Sequence, residues 1–417
     1  MISKNMLRVL QCLLVLAVVL MTAAGCGSRD STPKVSWNSP SDGGDVFGIA
    51  RLKVSASSDE GISEVQFYYD SVDDQHLIGT VAKPTDSLYT QLWYTTGVQN
   101  GEHVLYSLAL DAKRKSSQAS ITVNVGNRTR LEAIPTGAVK RTPEKDAHPP
   151  ILSAALSAYW YDPVPMEGPI NSAGAEDSPF VPTGRQEFYF FFTPDTSIDA
   201  SKQLLDEVSG IWVSRWQGGH WQEPERVWLE ENGKLALDGC AFVSDNQMLF
   251  CSAREGYTGM HWFSAELEDG KWQNWQNADF TSDLDVGELH ILGDELYYGS
   301  SRAGGKGNND IWMSKRVNGV WQAPTNIAAV NTADSEMMPF LTADGKELWF
   351  NRTFMGTPAV YRSKKVDGQW QTPELVVSQF AGEPTLDWEG NLYFVHHYYE
   401  DGKMIEADIY VCRRKLP

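Results

Sequence analysis

The stretch DIWMSKRVNGVWQAPTNI, residues 310–327, holds two tryptophans, a basic dipeptide and an Asn-Gly turn. AVYRSKKVDGQWQTPELV at 359–376, GIWVSRWQGGHWQEPERV at 210–227 and the looser MHWFSAELEDGKWQNWQNA at 260–278 repeat it. The second aromatic of each copy is Trp221, Trp272, Trp321 and Trp370, so the steps are 51, 49 and 49 residues. A fixed period of this size marks a repeat architecture rather than a single site.

Around the quoted stretch each repeat shows the same parts. A leading strand such as MMPFL runs into a turn, TADG, and an aromatic strand, ELWFN, before the quoted strand itself. An Asn-Gly, Asp-Gly or Gly-Gly pair then leads to an outer strand of the pattern xWQxP. These pairs tolerate positive φ and suit two-residue hairpins. Four antiparallel strands in roughly 50 residues is the size of a β-propeller blade. Leading strands at Ser178–Val181, Cys240–Val243, Leu289–Leu292, Met337–Leu341 and Pro384–Leu386 count five blades. A sixth within 127–158 has no GxW turn to support it.

The phase of the repeat says how the ring closes. YWYDPVPMEGPIN, residues 159–171, reads as an outer strand with no blade before it. The chain ends at EADIYVCRRKLP, a third strand with no outer strand after it. The expectation is closure by pairing these two ends, which removes exposed sheet edges.

Upstream, residues 35–126 alternate strictly: Leu52, Val54, Ala56; Val65, Phe67, Tyr69; Val104, Tyr106, Leu108, Leu110. Turn clusters SDEG and VQNGE separate the runs, so half-buried antiparallel strands and a β-sandwich are expected. SPSDGGDVFG, GISEVQFYYD, LIGT and NGEHVLYSLALDAKRKSS resemble bacterial Ig-like modules of secreted proteins, here without a Cys…Trp…Cys pin. Residues 26–34 read as a tether, and the proline-rich 127–158 as a linker or strap. The first 25 residues carry Lys4, Arg8 and a short apolar run, a secretory signal by charge and length. AAGC at 23–26 resembles a bacterial lipobox. That resemblance implies a lipid on Cys26 and, with Gly27 following, the outer membrane.

A formal charge of −19 and a pI near 4.8 argue against nucleic acid as a partner. Cys240, Cys251 and Cys412 form no zinc pattern. A two-residue turn at Asp245-Asn246 sets Cys240 opposite Cys251 on a hydrogen-bonded rung, which suits a disulfide poorly, so free thiols are preferred. GGKGNN, residues 304–309, precedes a strand rather than a helix and reads as a turn, not a phosphate loop. His396 and His397 are strand neighbours on opposite faces, a poor metal pair.

The run SSRAGGKGNNDIWMSKRVNGVWQAP, followed by VNTADSEMMPFLTADGKELWF, resembles the WD40-like repeats of TolB-type propellers. There a Ser/Asn-Arg-x-Gly-Gly turn precedes an Asp-Ile-Tyr/Trp strand. Asp310-Ile311-Trp312 and Asp408-Ile409-Tyr410 carry that strand here, whereas SGIW, GMHW and PAVY depart from it. The resemblance covers 159–417 and implies a binding scaffold.

Two residue sets are candidates for function. Trp216 and Trp388 fall outside the repeat pattern and Trp275 follows it only locally, so these three are the candidate surface aromatics. Glu176, Asp177, Asp238, Glu288, Glu336 and Glu383 stand at or just before the five leading strands, which line the channel of a propeller. Three readings remain: bonding to loop amides, a ligand or cation site, or an acid–base pair. The offset varies, since Glu336 lies three residues before Pro339 and Glu383 immediately precedes Pro384. The expectation is an all-β, secreted, lipid-anchored envelope protein that binds glycan, peptide or protein, with no cofactor and no catalytic residue assigned. The alternative is a glycoside hydrolase or lyase using the channel carboxylates.

Overall fold

The computed structural model describes residues 32–282 and 285–415. Strands hold 53% of the described residues and helices 4%, so the described part is all-β. It divides into two compact units between Asn127 and Arg128. Cys26 and the signal segment lie outside the described residues. Among those described, no helix is long and apolar enough to cross a membrane.

The first unit pairs a three-stranded sheet with a five-stranded one. Lys34–Ser39, Ile49–Ser57 and Tyr89–Tyr94 make the small sheet. Gly44–Val46, Ser116–Val125, Gly101–Asp111, Ile62–Tyr69 and Leu77–Val81 make the large one. Both sheets feed one core, with Leu52, Val54, Phe67, Leu105 and Val123 fully buried. Trp37 meets Phe67 edge-on across it at 5.9 Å. No disulfide pins the unit, so packing alone closes it. One alternation turns out the other way. Leu105, Ser107 and Ala109 face the core, and the bulkier Val104, Tyr106, Leu108 and Leu110 are only half-buried.

The second unit is a run of five antiparallel meanders. Their leading strands are Ala175–Phe180, Ala236–Ser244, Leu289–Leu292, Glu336–Leu341 and Ala381–Leu386. Second strands follow at Glu187–Thr193, Gln247–Arg254, Glu295–Ser300, Glu347–Phe354 and Leu392–Glu400, and third strands at Gly210–Gln217, His261–Glu268, Asp310–Val317, Thr357–Val366 and Lys403–Cys412. The turn chemistry explains the hairpins. Gly218-Gly219, Asp269-Gly270, Asn318-Gly319 and Asp367-Gly368 all have positive φ at both positions, which matches the right-handed strand twist. In consequence each repeat tryptophan lands on one rung: Trp216↔Trp221, Leu267↔Trp272, Arg316↔Trp321 and Lys365↔Trp370.

The last meander takes its outer strand from far upstream. Val164 pairs Val411, Pro165 pairs Tyr410, and Trp160 bridges Arg414. Trp160 is buried, donates from its indole to the Gly390 carbonyl at 3.0 Å and packs edge-on against Trp349 at 5.8 Å. Ala175 also bridges Ala407, so first and last meanders share one sheet.

The stretch from Arg128 to residue 158 belongs to this unit. Ile151–Leu152 adds to the outer strand Glu374–Ser378 of the fourth meander, so it builds no meander of its own. Lys140 donates to Asp408 at 2.7 Å, the Arg141 amide to Glu406 at 3.0 Å, and Asp146 meets His396 at 2.8 Å. These contacts hold it as a strap.

Candidate functional site

The leading strands do not run straight. In the first, second, fourth and fifth the register slips between Asp177 and Phe180, Gly239 and Phe242, Met337 and Phe340, and Gly382 and Thr385. At each slip one residue is left-handed: Ser178 at φ 48°, Cys240 at 51°, Met338 at 57° and Glu383 at 54°. Such conformations cost about 1–3 kcal/mol for a non-glycine residue. A bulge of this kind re-aims a side chain. Pro179, Pro339 and Pro384 follow three of them, fitting where the hydrogen-bond ladder is already interrupted.

Aligned on these slips, Ser178, Cys240, Glu288, Met338 and Glu383 occupy one position in the five meanders. All five line a single cavity of about 60 Å³. By this measure a water needs roughly 10–15 Å³, so the space suits a few waters or a hydrated ion. Of the residues two further on, Phe180, His290 and Phe340 also line the cavity. Phe180, Phe242, His290 and Phe340 meet ring to ring, with Phe180–Phe242 at 5.3 Å, Phe242–His290 at 5.1 Å and His290–Phe340 at 5.0 Å. Burial pushes His290 down to about 3 and keeps it neutral. In the fifth meander Thr385 replaces the ring and accepts from the Val181 amide at 3.1 Å.

The offset noted in the sequence separates the six acids. Glu176, Asp238 and Glu336, two residues before the bulge, are fully buried in ion pairs. Glu336 accepts from Arg352 at 2.7 Å, from the Thr332 amide at 3.0 Å and from its hydroxyl at 2.6 Å. Asp238 accepts from Arg254 at 2.8 Å and from Ser252 at 2.6 Å. Arg254 and Arg352 both stand on second strands beside their acids. In the first meander Phe192 faces Glu176, and the strap supplies the cation. Arg130 donates to Glu176 at 2.8 Å and to the carbonyls of Pro169 and Ile170, while the Ser172 amide and hydroxyl also donate to Glu176. Burial raises Glu176 to about 7 against the pull of Arg130. These three acids therefore hold the leading strands and do not reach the cavity.

Asp177, Glu288 and Glu383 are placed otherwise. The Asp177 and Glu383 carboxylates and the His397 imidazole bring one ligand atom each within 4.8 Å of one another. His397 Nε2 is 3.8 Å from Asp177 Oδ1. The backbone amide of Glu383 donates to Asn351, yet its side-chain Oε2 is buried without a partner. Between the second and third meanders the Cys240 thiol stands 3.6 Å from Glu288. Burial, with Asp177 and Glu288 nearby, raises Glu383 well above the usual range. Burial, then Cys240 and Asp177, does the same to Glu288. Burial opposes ionisation of Asp177, but the hydrogen bond and charge of His397 outweigh it and its carboxyl lies below the ordinary value.

The bulge also changes the cysteine geometry. The Asp245-Asn246 turn pairs Ser244 with Gln247 as expected, but the slip sets Gly239, not Cys240, opposite Cys251. Both thiols are free, as is Cys412. His396 and His397 do point to different partners, Asp146 and Asp177. The glycine loop at 304–309 wraps the Asp310 carboxylate, which accepts from the amides of Lys306 and Gly307. A Cβ on Gly307 would lie 1.7 Å from the Asp334 carbonyl oxygen. Close backbone approach explains the glycine.

Of the candidate aromatics, Trp388 is 46% exposed. It meets Trp216 at 6.3 Å and the repeat residue Trp221 at 6.0 Å. Trp275 is half-buried instead, with the Arg254 guanidinium 4.1 Å over its ring, a packing role.

A family model described as a bacterial Ig domain matches residues 33–106. No curated protein matches the chain. Among solved structures, TolB from Acinetobacter baumannii is similar at 14% identity and a TM-score of 0.35, over 76% of this chain and 77% of that one. An endo-β-1,4-mannanase from Thermotoga petrophila shares 17% identity over 25% of this chain, at a TM-score of 0.20. This chain covers 22% of that mannanase. The AtxE2 isopeptidase shares 8% identity over 90% of this chain and 52% of its own, at 0.23. None of these likenesses bears on activity.

Proposed function

We propose that the second unit is a five-bladed β-propeller, closed by the outer strand at Val164–Pro165, and that it is a binding module of a secreted, lipid-anchored envelope protein. Its ligand is a glycan, a peptide or a protein presented at the axial cavity. The observation that carries this reading is the cavity itself. All five leading strands line it, Phe180, His290 and Phe340 among their residues, and its volume of about 60 Å³ is too small to enclose a sugar chain. Three of the six channel acids are already consumed by arginines. A small polar socket of this kind anchors one group of a ligand lying across the mouth.

A hydrolytic second reading is favoured by one observation. Asp177 lies below and Glu383 above the ordinary carboxyl range, the split that an acid–base pair requires. The deciding experiment incubates the purified chain with a panel of polysaccharides, reading both gel retardation and released reducing ends. Retardation without product is expected. Turnover that disappears in a Glu383→Gln variant of unchanged melting would overturn the binding reading. The anchor is tested separately: Cys26→Ser should release the chain from the membrane fraction or stall its processing, and unchanged processing and retention would refute the lipid.

A further inference from the structure

We propose that Asp177, Glu383 and His397 form a site for a divalent transition-metal ion, zinc or manganese. Three strands bring the groups together. Asp177 comes from the first leading strand, Glu383 from the fifth, and His397 from the strand paired with the fifth. One ligand atom from each lies within 4.8 Å of the other two; metal bonds near 2.0–2.2 Å reach across about 4.4 Å at most, so a small side-chain adjustment closes the set on one ion. Glu383 Oε2 is buried and has no hydrogen-bond partner. An unpaired buried carboxyl oxygen is costly, and a bound cation would satisfy it.

The backbone holds the set in place. Glu383 is left-handed at φ 54°, and its amide is tied to Asn351 at 2.8 Å. The Ser178 amide donates to Asp177 Oδ1 at 2.9 Å, which fixes the oxygen that stands 3.8 Å from His397 Nε2. The adjoining cavity supplies room for water at the remaining coordination positions.

The donor set selects the metal. Two carboxylates offset the charge of a dication. Imidazole nitrogen suits zinc and the two carboxylates suit manganese, whereas calcium and magnesium favour sites made wholly of oxygen donors. A bound ion with open positions at the base of the socket would then meet the carboxylate, phosphate or hydroxyl of whatever the module binds. The site rests on the binding reading only for its location.

The test begins with chelator-stripped protein and titrates ZnCl2 and MnCl2 by calorimetry. One ion per chain is expected. Asp177→Asn, Glu383→Gln and His397→Ala should each weaken it at least tenfold, and Glu336→Gln, remote from the cavity, should not. Calcium and magnesium in large excess should fail to compete. Cobalt bound to the unaltered protein gives a reading that needs no variant: visible d–d bands are expected without a thiolate charge-transfer band. Absence of binding, affinity unmoved by the three variants, or a thiolate band pointing to Cys240 would each overturn the site. None of these outcomes touches polysaccharide turnover, and turnover would sink the binding reading while leaving metal affinity intact.

Discussion

Arg130 offers the sharpest test of how the second unit is held. Its side chain is 2% exposed and serves the Glu176 carboxylate and two backbone carbonyls. The guanidinium lies 5.4 Å from the Phe192 ring and 5.6 Å from Phe190. Arg130→Met keeps the apolar stem and removes the charge. Breaking a buried pair from one side costs about 3–5 kcal/mol, because the partner is left charged and unpaired. Domains are commonly stable by only about 5–15 kcal/mol, so the loss should be large. Protonation limits it. Glu176 already titrates at about 7, above its reference value of 4.5, so the folded state holds an extra proton between those values and loses stability as pH rises through them. Without Arg130 the folded value climbs further, and the loss continues above pH 7. The gap between wild type and Arg130→Met should therefore widen from pH 6 to pH 8.5. Urea unfolding followed by tryptophan fluorescence reads this unit well, because only Trp37 and Trp93 lie outside it. Glu176→Gln in the same chain should recover part of the loss, most of all at high pH. A variant within 1 kcal/mol of wild type at pH 8.5, or strict additivity of the two changes, would refute the argument.

Further outcomes follow from neighbouring features. Deleting residues 159–167 removes the partner of Val411 and the buried Trp160; aggregation or a broadened melt is expected, and a monomer that melts normally would show that the outer strand is dispensable. Glu336→Ala strands the Thr332 amide and Arg352, at about 1–3 kcal/mol or somewhat more for a charged partner, whereas Glu336→Gln keeps one acceptor and should cost less in the same denaturation assay. Burial also raises Glu406 to about 7, so the fluorescence-detected melt should fall as pH climbs from 4.5 to 7 and fall less in Glu406→Gln; a wild-type melt that rises across that window contradicts the assignment.

Much of the architecture was legible because it rests on local chemistry. Tryptophan spacing and positive-φ turn pairs specify hairpins that form wherever those residues stand. The terminal pairing could be read from phase, since a missing strand at one end matched a spare one at the other. The site was only half legible. Six acids near five leading strands looked alike, and the offset from the following proline distinguished Glu383 from Glu336. What that offset meant depended on a bulge that no residue type announces. Ser178, Cys240 and Met338 share the Glu383 position with nothing in common as side chains. They could have been found by aligning SPF, CAF, ELH, MPF and EPT. His397 was set aside as half of a poor pair, and it joins the site alone. Arg130 left no signal, because its partner lies 46 residues away in a different segment. The Val104, Tyr106, Leu108, Leu110 face showed alternation correctly but not which side the core takes.

The strand at Val164–Pro165 has a consequence for biogenesis. Its partners, Val411 and Tyr410, follow by 247 and 245 residues. At typical synthesis rates of about 5–20 residues per second, the early strand waits on the order of 10–50 s for them. Bringing ends so far apart together costs roughly 5 kcal/mol of chain entropy, and until they meet the first segment has no place to pair. A chain cut short before Tyr410 would therefore have an orphan strand at one end and an open sheet edge at the other. Such a product is exposed to proteases along both, so the early strand is protected only once Tyr410 and Val411 are in place.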